Sequence, residues 1–284
     1  MIKYIKHGSW LVQRFLGNIY PRIFGRIWAQ AFNDYILRLA LRARGFENCC
    51  DHTTTGEYTF VAQLSKLEPK LCIDVGANVG GYSELLLKKT RAFVFAFEPL
   101  PEAFDKLDRL TSKYKDRILA VNLGLSNVEG QFELKFGDPS SELASFSLAV
   151  QEIQFVGKSN TNSVTTRVTT LDTFMEEMRA HAPEVDLLKI DVEGLEWEVL
   201  LGAKNTIVEM RPKLIQIELN LHQLFVNRSI LQFSRLLKGY RLTQILPYRG
   251  GLVERDPKDS LSNLYSYSNY VFVRSDFWSE FFSK

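Results

Sequence analysis

From about residue 70 onward, short apolar runs alternate with stretches of helical periodicity. LCIDV (71–75) predicts a buried strand. GGYSELLLKK (80–89) then places Tyr82, Leu85 and Leu86 on one helical face, with two lysines near the C-terminal end where the helix dipole favours them. AFVFAFEP (92–99) predicts a second strand stopped by Pro99, and PEAFDKLDRL (101–110) a helix with Pro101 in its first turn. ILAVNLGL (118–125) predicts a third strand, and residues 128–136 and 164–169 alternate as more exposed strands do. LDTFMEEMRA (171–180), LEWEVLLGA (195–203) and SILQFSRLLK (229–238) predict helices. DLLKID (186–191), KLIQIELN (213–220) and NYVFVR (269–274) predict strands. Such alternation builds an α/β fold, a doubly wound and mainly parallel sheet.

Open sheets of this kind bind ligands beyond the C-terminal ends of their strands. Asp74, Glu98, Asn122, Asp191 and Glu218 all fall at strand ends. Two long stretches, 137–163 and 247–268, are predicted as loops, and loops of that length commonly serve as lids or binding loops. Between the first strand and helix lies DVGANVGG (74–81). A phosphate-cradling P-loop needs Lys-Ser or Lys-Thr directly after its last glycine, and Tyr82 follows Gly81. A dinucleotide fingerprint needs a glycine where Asn78 stands, and Asp74 would set a negative charge beside a pyrophosphate. The turn therefore suits a cofactor that carries positive charge and no phosphate. Glu98, 24 residues after Asp74, stands where an acid can accept hydrogen bonds from ribose hydroxyls.

Composition changes this picture in one place only. Of 284 residues, 45% are hydrophobic and 24% charged, as in an ordinary globular protein. The net charge of +2 is uneven: residues 1–46 hold eight Lys/Arg and a single acid, Asp34, leaving 27 basic and 32 acidic residues in 47–284. The division expected is a basic, aromatic-rich helical extension over 1–48 and a catalytic domain over 49–284. Three cysteines, two of them the adjacent Cys49 and Cys50, make neither a disulfide framework nor a metal-ligand spacing. No apolar stretch reaches the roughly 20 residues of a membrane span, and a cytoplasmic setting is expected, peripheral to the inner face of the membrane if the basic segment binds lipid.

DVGANVG resembles motif I of the class I S-adenosylmethionine-dependent methyltransferases. With VNLGLSNVEGQFEL (121–134), SELASF (141–146), TLDTF (170–174), DLLKIDVEGLEWEVLLGA (186–203), PKLIQIELN (212–220) and SNYVF (268–272), the chain is similar to the FkbM-type methyltransferases over about residues 50–275. The resemblance implies a Rossmann-like sheet with an antiparallel C-terminal strand. It also implies S-adenosylmethionine as cofactor and methylation of a hydroxyl, on a sugar, glycoconjugate or natural-product scaffold. On it, Asp74, Gly76, Ala77, Asn78, Gly80 and Glu98 contact the cofactor, with Asn122 and Ser126 near its adenine end. Two other readings stand beside it: a nucleotide-sugar or dinucleotide oxidoreductase, and a non-catalytic scaffold of the same fold.

Methyl transfer to an alcohol needs a positioned hydroxyl and an acceptor for its proton. If IELNLH stays extended, its period of two turns Glu218, Asn220 and His222 the same way. His222 is the expected base, because imidazole changes charge near neutrality. Asp191 would orient the acceptor or the methyl group. Glu193 either joins the catalytic set or complements the N-terminus of the helix beginning near Gly194. Asp191, Glu218 and Asn220 could alternatively hold Mg²⁺, which takes oxygen ligands. Ser145 either lines the acceptor pocket or serves a turn. In residues 10–46 Trp28, Ala31, Phe32, Tyr35 and Leu39 recur at helical spacing with Arg38 and Arg42 on another face. That segment either lies on anionic lipid or packs on the fold or a second subunit. No nucleic-acid motif accompanies the charge.

Overall fold

The computed structural model describes residues 16–48, 51–138, 143–178 and 184–283. Cys49, Cys50 and the first two residues of SELASF lie outside them. Helices run through residues 16–24 (α1), Gln30–Ala43 (α2) and Glu57–Ser65 (α3) before the first strand, β1 (Leu71–Val75). Next come α4 (Gly81–Lys89), β2 (Phe93–Phe97), α5 (Pro101–Tyr114) and β3 (Ile118–Val121). The expected third strand does not run on to residue 125. It breaks at Asn122, and Gly124–Leu125 (β4) joins a separate three-stranded sheet with β5 (Gly130–Phe136) and β6 (Asn162–Thr169). Asn122 ends the run because its amide turns back to the carbonyls of Glu98 and Pro99.

Further along lie α6 (Gln154–Ser159), α7 (Leu171–Met178), β7 (Leu187–Ile190), α8 (Glu196–Leu201), β8 (Leu214–Leu219), α9 (His222–Phe225) and α10 (Ile230–Leu236). The chain closes with β9 (Tyr240–Ile245), β10 (Leu252–Glu254), β11 (Ser268–Arg274) and α11 (Trp278–Ser283). The main sheet has the order β10-β9-β11-β8-β7-β1-β2-β3. The five strands from β8 to β3 are mutually parallel, and β11 runs antiparallel between β8 and β9. The antiparallel C-terminal strand was expected; β9, β10 and α6 were not. Two of these arise inside the stretches predicted as loops, whose Ser, Gly and Pro content masks short elements that pairing and packing create.

Strand alternation sorts the core into two layers. Leu71, Ile73 and Val75 with Phe95, Phe97, Leu188, Ile190, Ile215 and Ile217 fill one face of the sheet. Cys72, Val94, Leu187 and Leu214 face the other, under Phe60, Leu64 and Leu86 of α3 and α4. The second face also carries the polar members of these strands. Register places Asp74 beside Lys189, and Lys189 beside Gln216, in one row across β1, β7 and β8. The chain leaves β1 toward β2 on one side and returns to β7 on the other, so this row lies at the switch point where open sheets bind ligands.

Candidate functional site

Glycines shape the floor of the site. Gly76 has φ +79, and a Cβ there would lie 1.7 Å from the carbonyl oxygen of Asp191. Its first task is thus to let the β1 turn press against the loop after β7. Gly80, φ +89, starts α4, and Asn78 between them is also left-handed at φ 48. Glu98, just past β2, braces this turn: one carboxylate oxygen accepts from Asn78 N and the other from Leu100 N, both at 2.8 Å. Burial pushes the Glu98 carboxyl up to about 7 against the pull of those two amides.

Asp74 is fully buried. Ser83 Oγ donates to it at 2.6 Å, and Lys189 Nζ lies 3.4 Å from its other oxygen and 3.1 Å from Asp191. Burial works against charge on Lys189, yet the fields of Asp191, Asp74, Glu57 and Glu218 outweigh it and hold the ammonium above the ordinary lysine range. The polar row continues through Gln216, whose amide donates to Glu57 at 2.8 Å and to Asn269 at 2.9 Å, and Glu57 lies 2.8 Å from His52. Desolvation, with Asp191 and Glu193 close by, drives Glu218 well above the usual carboxylate range, and desolvation raises Asp191 as well.

The segment IELNLH does not stay extended. β8 ends at Leu219, Asn220 Oδ1 accepts from His222 N at 2.8 Å, and His222 opens α9. The hydrophobic spacing of Leu219, Leu221 and Leu224 allows either form, and the Asn220 cap selects the turn. His222 nevertheless reaches the site: its Nδ1 lies 2.9 Å from Glu193 Oε2, without hydrogen-bond alignment, and Asn220 Nδ2 donates to the same oxygen at 3.2 Å. Glu193 does not cap the following helix. It is left-handed (φ 52) and turns its carboxylate to Asn220 and His222, while Glu196 accepts from Val192 N and Gly194 N. Ser145 Oγ donates to the Glu193 carbonyl at 2.7 Å, which fixes that turn.

These groups surround one cavity of about 940 Å³, at the upper end of ligand pockets. Gly76, Ala77, Asn78, Glu98, Asp191, Glu193, Glu218, Asn220 and His222 all line it. Asp74, Gly80, Asn122, Ser126 and Ser145 are not among the lining residues, Asp74 lying fully buried behind the turn; Leu123, Gly124 and Leu125 are. Asn122 holds the backbone after β2, and Ser126 N donates to Thr169 O. Leu143, Phe146 and Phe155 from one long stretch and Tyr265 and Tyr267 from the other form the apolar wall. His52, Glu57, Lys189 and Gln216 escaped sequence reasoning as site residues. The available signal was a polar residue at alternate positions of otherwise apolar strands, as in LLKI and LIQI.

Raised pKa values, those of Asp191 and Glu218 included, set a pH dependence of stability. Glu196, buried beneath the Glu193 turn, is pushed up to about 7 by burial, as is Glu98, and His52 is raised by its bond to Glu57. Between the unfolded carboxyl value near 4.5 and about 7 the folded chain binds more protons than the unfolded one, so stability falls as pH rises. Thermal melts should therefore give a lower Tm at pH 8 than at pH 5, and Glu196→Gln should flatten the slope. Gln223 has an unpartnered Oε1 that an amide at 196 can reach after a flip. An unchanged slope would show that Glu196 titrates as an ordinary carboxyl.

A mainly parallel α/β sheet with a glycine turn after β1 and a cavity at its switch point is the frame of a Rossmann-like fold. Residues 74–242 match the methyltransferase FkbM domain, and the chain belongs to that family. It is 30% identical to hexuronic acid methyltransferase AglP of Haloferax volcanii over 144 residues, 51% of this chain and 54% of that protein. It is 29% identical to 2-O-methyltransferase NoeI of Sinorhizobium fredii over 162 residues, 53% and 64% of the two chains. The chain thus matches between about half and two thirds of the length of these relatives. Among solved structures, the O-methyltransferase from Bacillus cereus in complex with SAH aligns with a TM-score of 0.43 at 12% identity, covering 93% of this chain and 97% of that one.

Proposed function

We propose that the chain transfers a methyl group from S-adenosylmethionine to a hydroxyl of a neutral, sugar-like acceptor. The observation that carries this is the meeting of the Asp74–Glu98 glycine turn and the Glu193–His222 pair on one cavity. The turn fits the cofactor: Asn78 Oδ1 is a buried oxygen without a hydrogen-bond partner, and Asp74 Oδ1 meets only Lys189. Asn78 and Glu98 would hold it, with Asp74 bracing the turn from behind through Ser83 and Lys189, and when bound it supplies an activated methyl group on a sulfonium. Glu98 accepts from ribose hydroxyls, which requires it to be charged or to share its proton. His222 would take the acceptor hydroxyl's proton at Nε2 as the hydroxyl oxygen bonds the methyl carbon and the methyl–sulfur bond breaks, its electron pair leaving on the sulfur of a neutral thioether. Glu193, whose carboxylate stands 2.9 Å from Nδ1, would accept from Nδ1–H once the ring turns into line, fixing the tautomer and stabilising the imidazolium.

Charge supports a neutral acceptor. Glu47, Asp51, Glu57, Asp191 and Glu193, with Glu98 and Glu218 held toward the neutral form by burial, line the cavity against Arg38 and Lys189, both already paired with acids. A carboxylated sugar, such as the Haloferax protein's name describes, would enter that field unfavourably. The expected Mg²⁺ set fits poorly. Carboxylate oxygens of Asp191, Glu193 and Glu218 come within 4.8 Å of one another, but both ends of the Asn220 amide are engaged and Lys189 already supplies the positive charge. No step is derived through an ion.

Calorimetry with S-adenosylmethionine should give a micromolar dissociation constant, about −8 kcal/mol, and Glu98→Ala should weaken it about 10–100-fold. Labelled methyl transfer should favour neutral polyols over uronic acids and continue unchanged in EDTA. A folded wild-type protein that releases no heat overturns the cofactor assignment and brings the scaffold reading forward. Turnover abolished by EDTA and restored by Mg²⁺ would overturn the metal-free chemistry.

A further inference from the structure

The extension ahead of the catalytic domain leaves an apolar face unpartnered. α2 has 14 residues and none is buried, although its sequence is QAFNDYILRLALRA. Phe32, Tyr35 and Leu39, following Trp28 at i, i+4, i+7 and i+11, fall on one stripe. They are 46%, 61%, 45% and, for Trp28, 71% exposed, where a helix packed on its own fold would be covered. Leu41, on the opposite side near the C-terminal end, packs against the main core and Phe46 just beyond the helix is completely buried, so the helix is moored at that end, while Ile36 and Leu37 are exposed as well. α1 folds back on it: Tyr20, Phe24, Trp28 and Phe32 form a chain of ring contacts at 4.8–6.2 Å, and Tyr20 OH donates to Asn33. Two short helices thus share one aromatic surface.

The charge around this surface names its occupant. In residues 16–46, Arg22, Arg26, Arg38, Arg42 and Arg44 stand against Asp34 alone. Arg38 and Arg42 fall beside the stripe on the helical wheel, and Arg22, Arg26 and Arg42 are exposed. Pairing of two copies through this face would oppose two strongly basic patches, since a two-fold contact sets the same surface against itself. An anionic bilayer instead neutralises the arginines and takes up Trp, Tyr and Leu at the headgroup boundary. α2 is about 21 Å long, and no helix among the described residues is long and apolar enough to cross a membrane, so the geometry is that of a segment lying in the interface.

We infer that residues 16–43 dock this protein on an anionic lipid surface through the Trp28–Phe32–Tyr35–Leu39 face. Arg38, on the same helix, lines the cavity and pairs with Glu47 at 3.2 Å, so the docked element also borders the site. Docking thereby holds the cavity near the headgroup layer. The inference does not rest on the methyl-transfer reading, and calorimetric cofactor binding in the same preparations keeps the two separate.

The test is co-sedimentation of the full chain with vesicles of phosphatidylglycerol and phosphatidylcholine mixed, against phosphatidylcholine alone. Binding to the anionic vesicles should be at least about tenfold tighter and should weaken with added salt. Phe32→Glu/Leu39→Glu and Arg22→Glu/Arg26→Glu should each reduce it by at least about tenfold. The Arg22 and Arg26 side chains are exposed, so that variant should keep the wild-type melting temperature, and both variants, Phe32→Glu giving up its ring contact with Phe24, should keep the wild-type cofactor affinity. Equal recovery in the supernatant with and without anionic vesicles overturns the inference. A dimer in sedimentation velocity that Phe32→Glu/Leu39→Glu converts to monomer, without vesicle binding by the wild type, would assign the face to a second copy and overturn it as well.

Discussion

Replacing His222 by alanine is expected to lower kcat about 10²–10⁴-fold, the usual worth of a positioned general base, with the cofactor dissociation constant held within about twofold. The separation follows from position. His222 opens α9 beside Glu193, whereas the Asp74–Glu98 turn stands on β1 and β2. The hydrogen bonds of Glu98 close within its own turn, on Asn78 N and Leu100 N. Glu193→Gln should give a smaller loss of kcat, because an amide still contacts Nδ1 but cannot stabilise the imidazolium. A His222→Ala enzyme with full kcat would remove the base assignment. Loss of cofactor binding in the same variant would show that the histidine holds the fold of the site rather than moving a proton.

The second large effect is on stability. Lys189→Met should destabilise the chain by about 3–5 kcal/mol, a fall in Tm of roughly 10 °C for a chain of this size. The ammonium is buried between Asp74 and Asp191, and methionine would leave both carboxylates in a low-dielectric layer without their partner. The apolar stem would pack equally well, so the loss measures the charge alone. Lys189→Met/Asp74→Asn should recover part of it, because one of the two stranded charges is gone. Arg211→Ala, which breaks a 2.6 Å pair with Asp276 between two half-exposed side chains, should cost under about 1 kcal/mol. Calorimetric or denaturant melts of the three variants decide this, and a Lys189→Met loss as small as the Arg211→Ala loss would mean that water reaches the row.

By itself the sequence determined the parallel strands of the main sheet and the glycine turn after β1. Those depend on local signals: apolar runs of strand length, helical spacing, Pro101 at a helix start and glycines where the backbone turns left-handed. The family was legible for the same reason, since DVGANVGG and KIDVEGLEWEVLLGA are contiguous. Only the tertiary structure decided what the polar residues inside the strands do. Lys189 and Gln216 look like interruptions in LLKI and LIQI until register lines them up beside Asp74. His222 looked like the end of a strand until the Asn220 cap turned the chain into α9 and toward Glu193. Asn122, Ser126 and Ser145 fell at plausible positions, yet the side chains of Asn122 and Ser145 brace backbone and that of Ser126 donates to Asn127, none of them lining the cavity. Sequence spacing fixes which face a residue takes within one element; which element stands opposite is set by packing between segments more than a hundred residues apart, as Asp74 and Lys189 are.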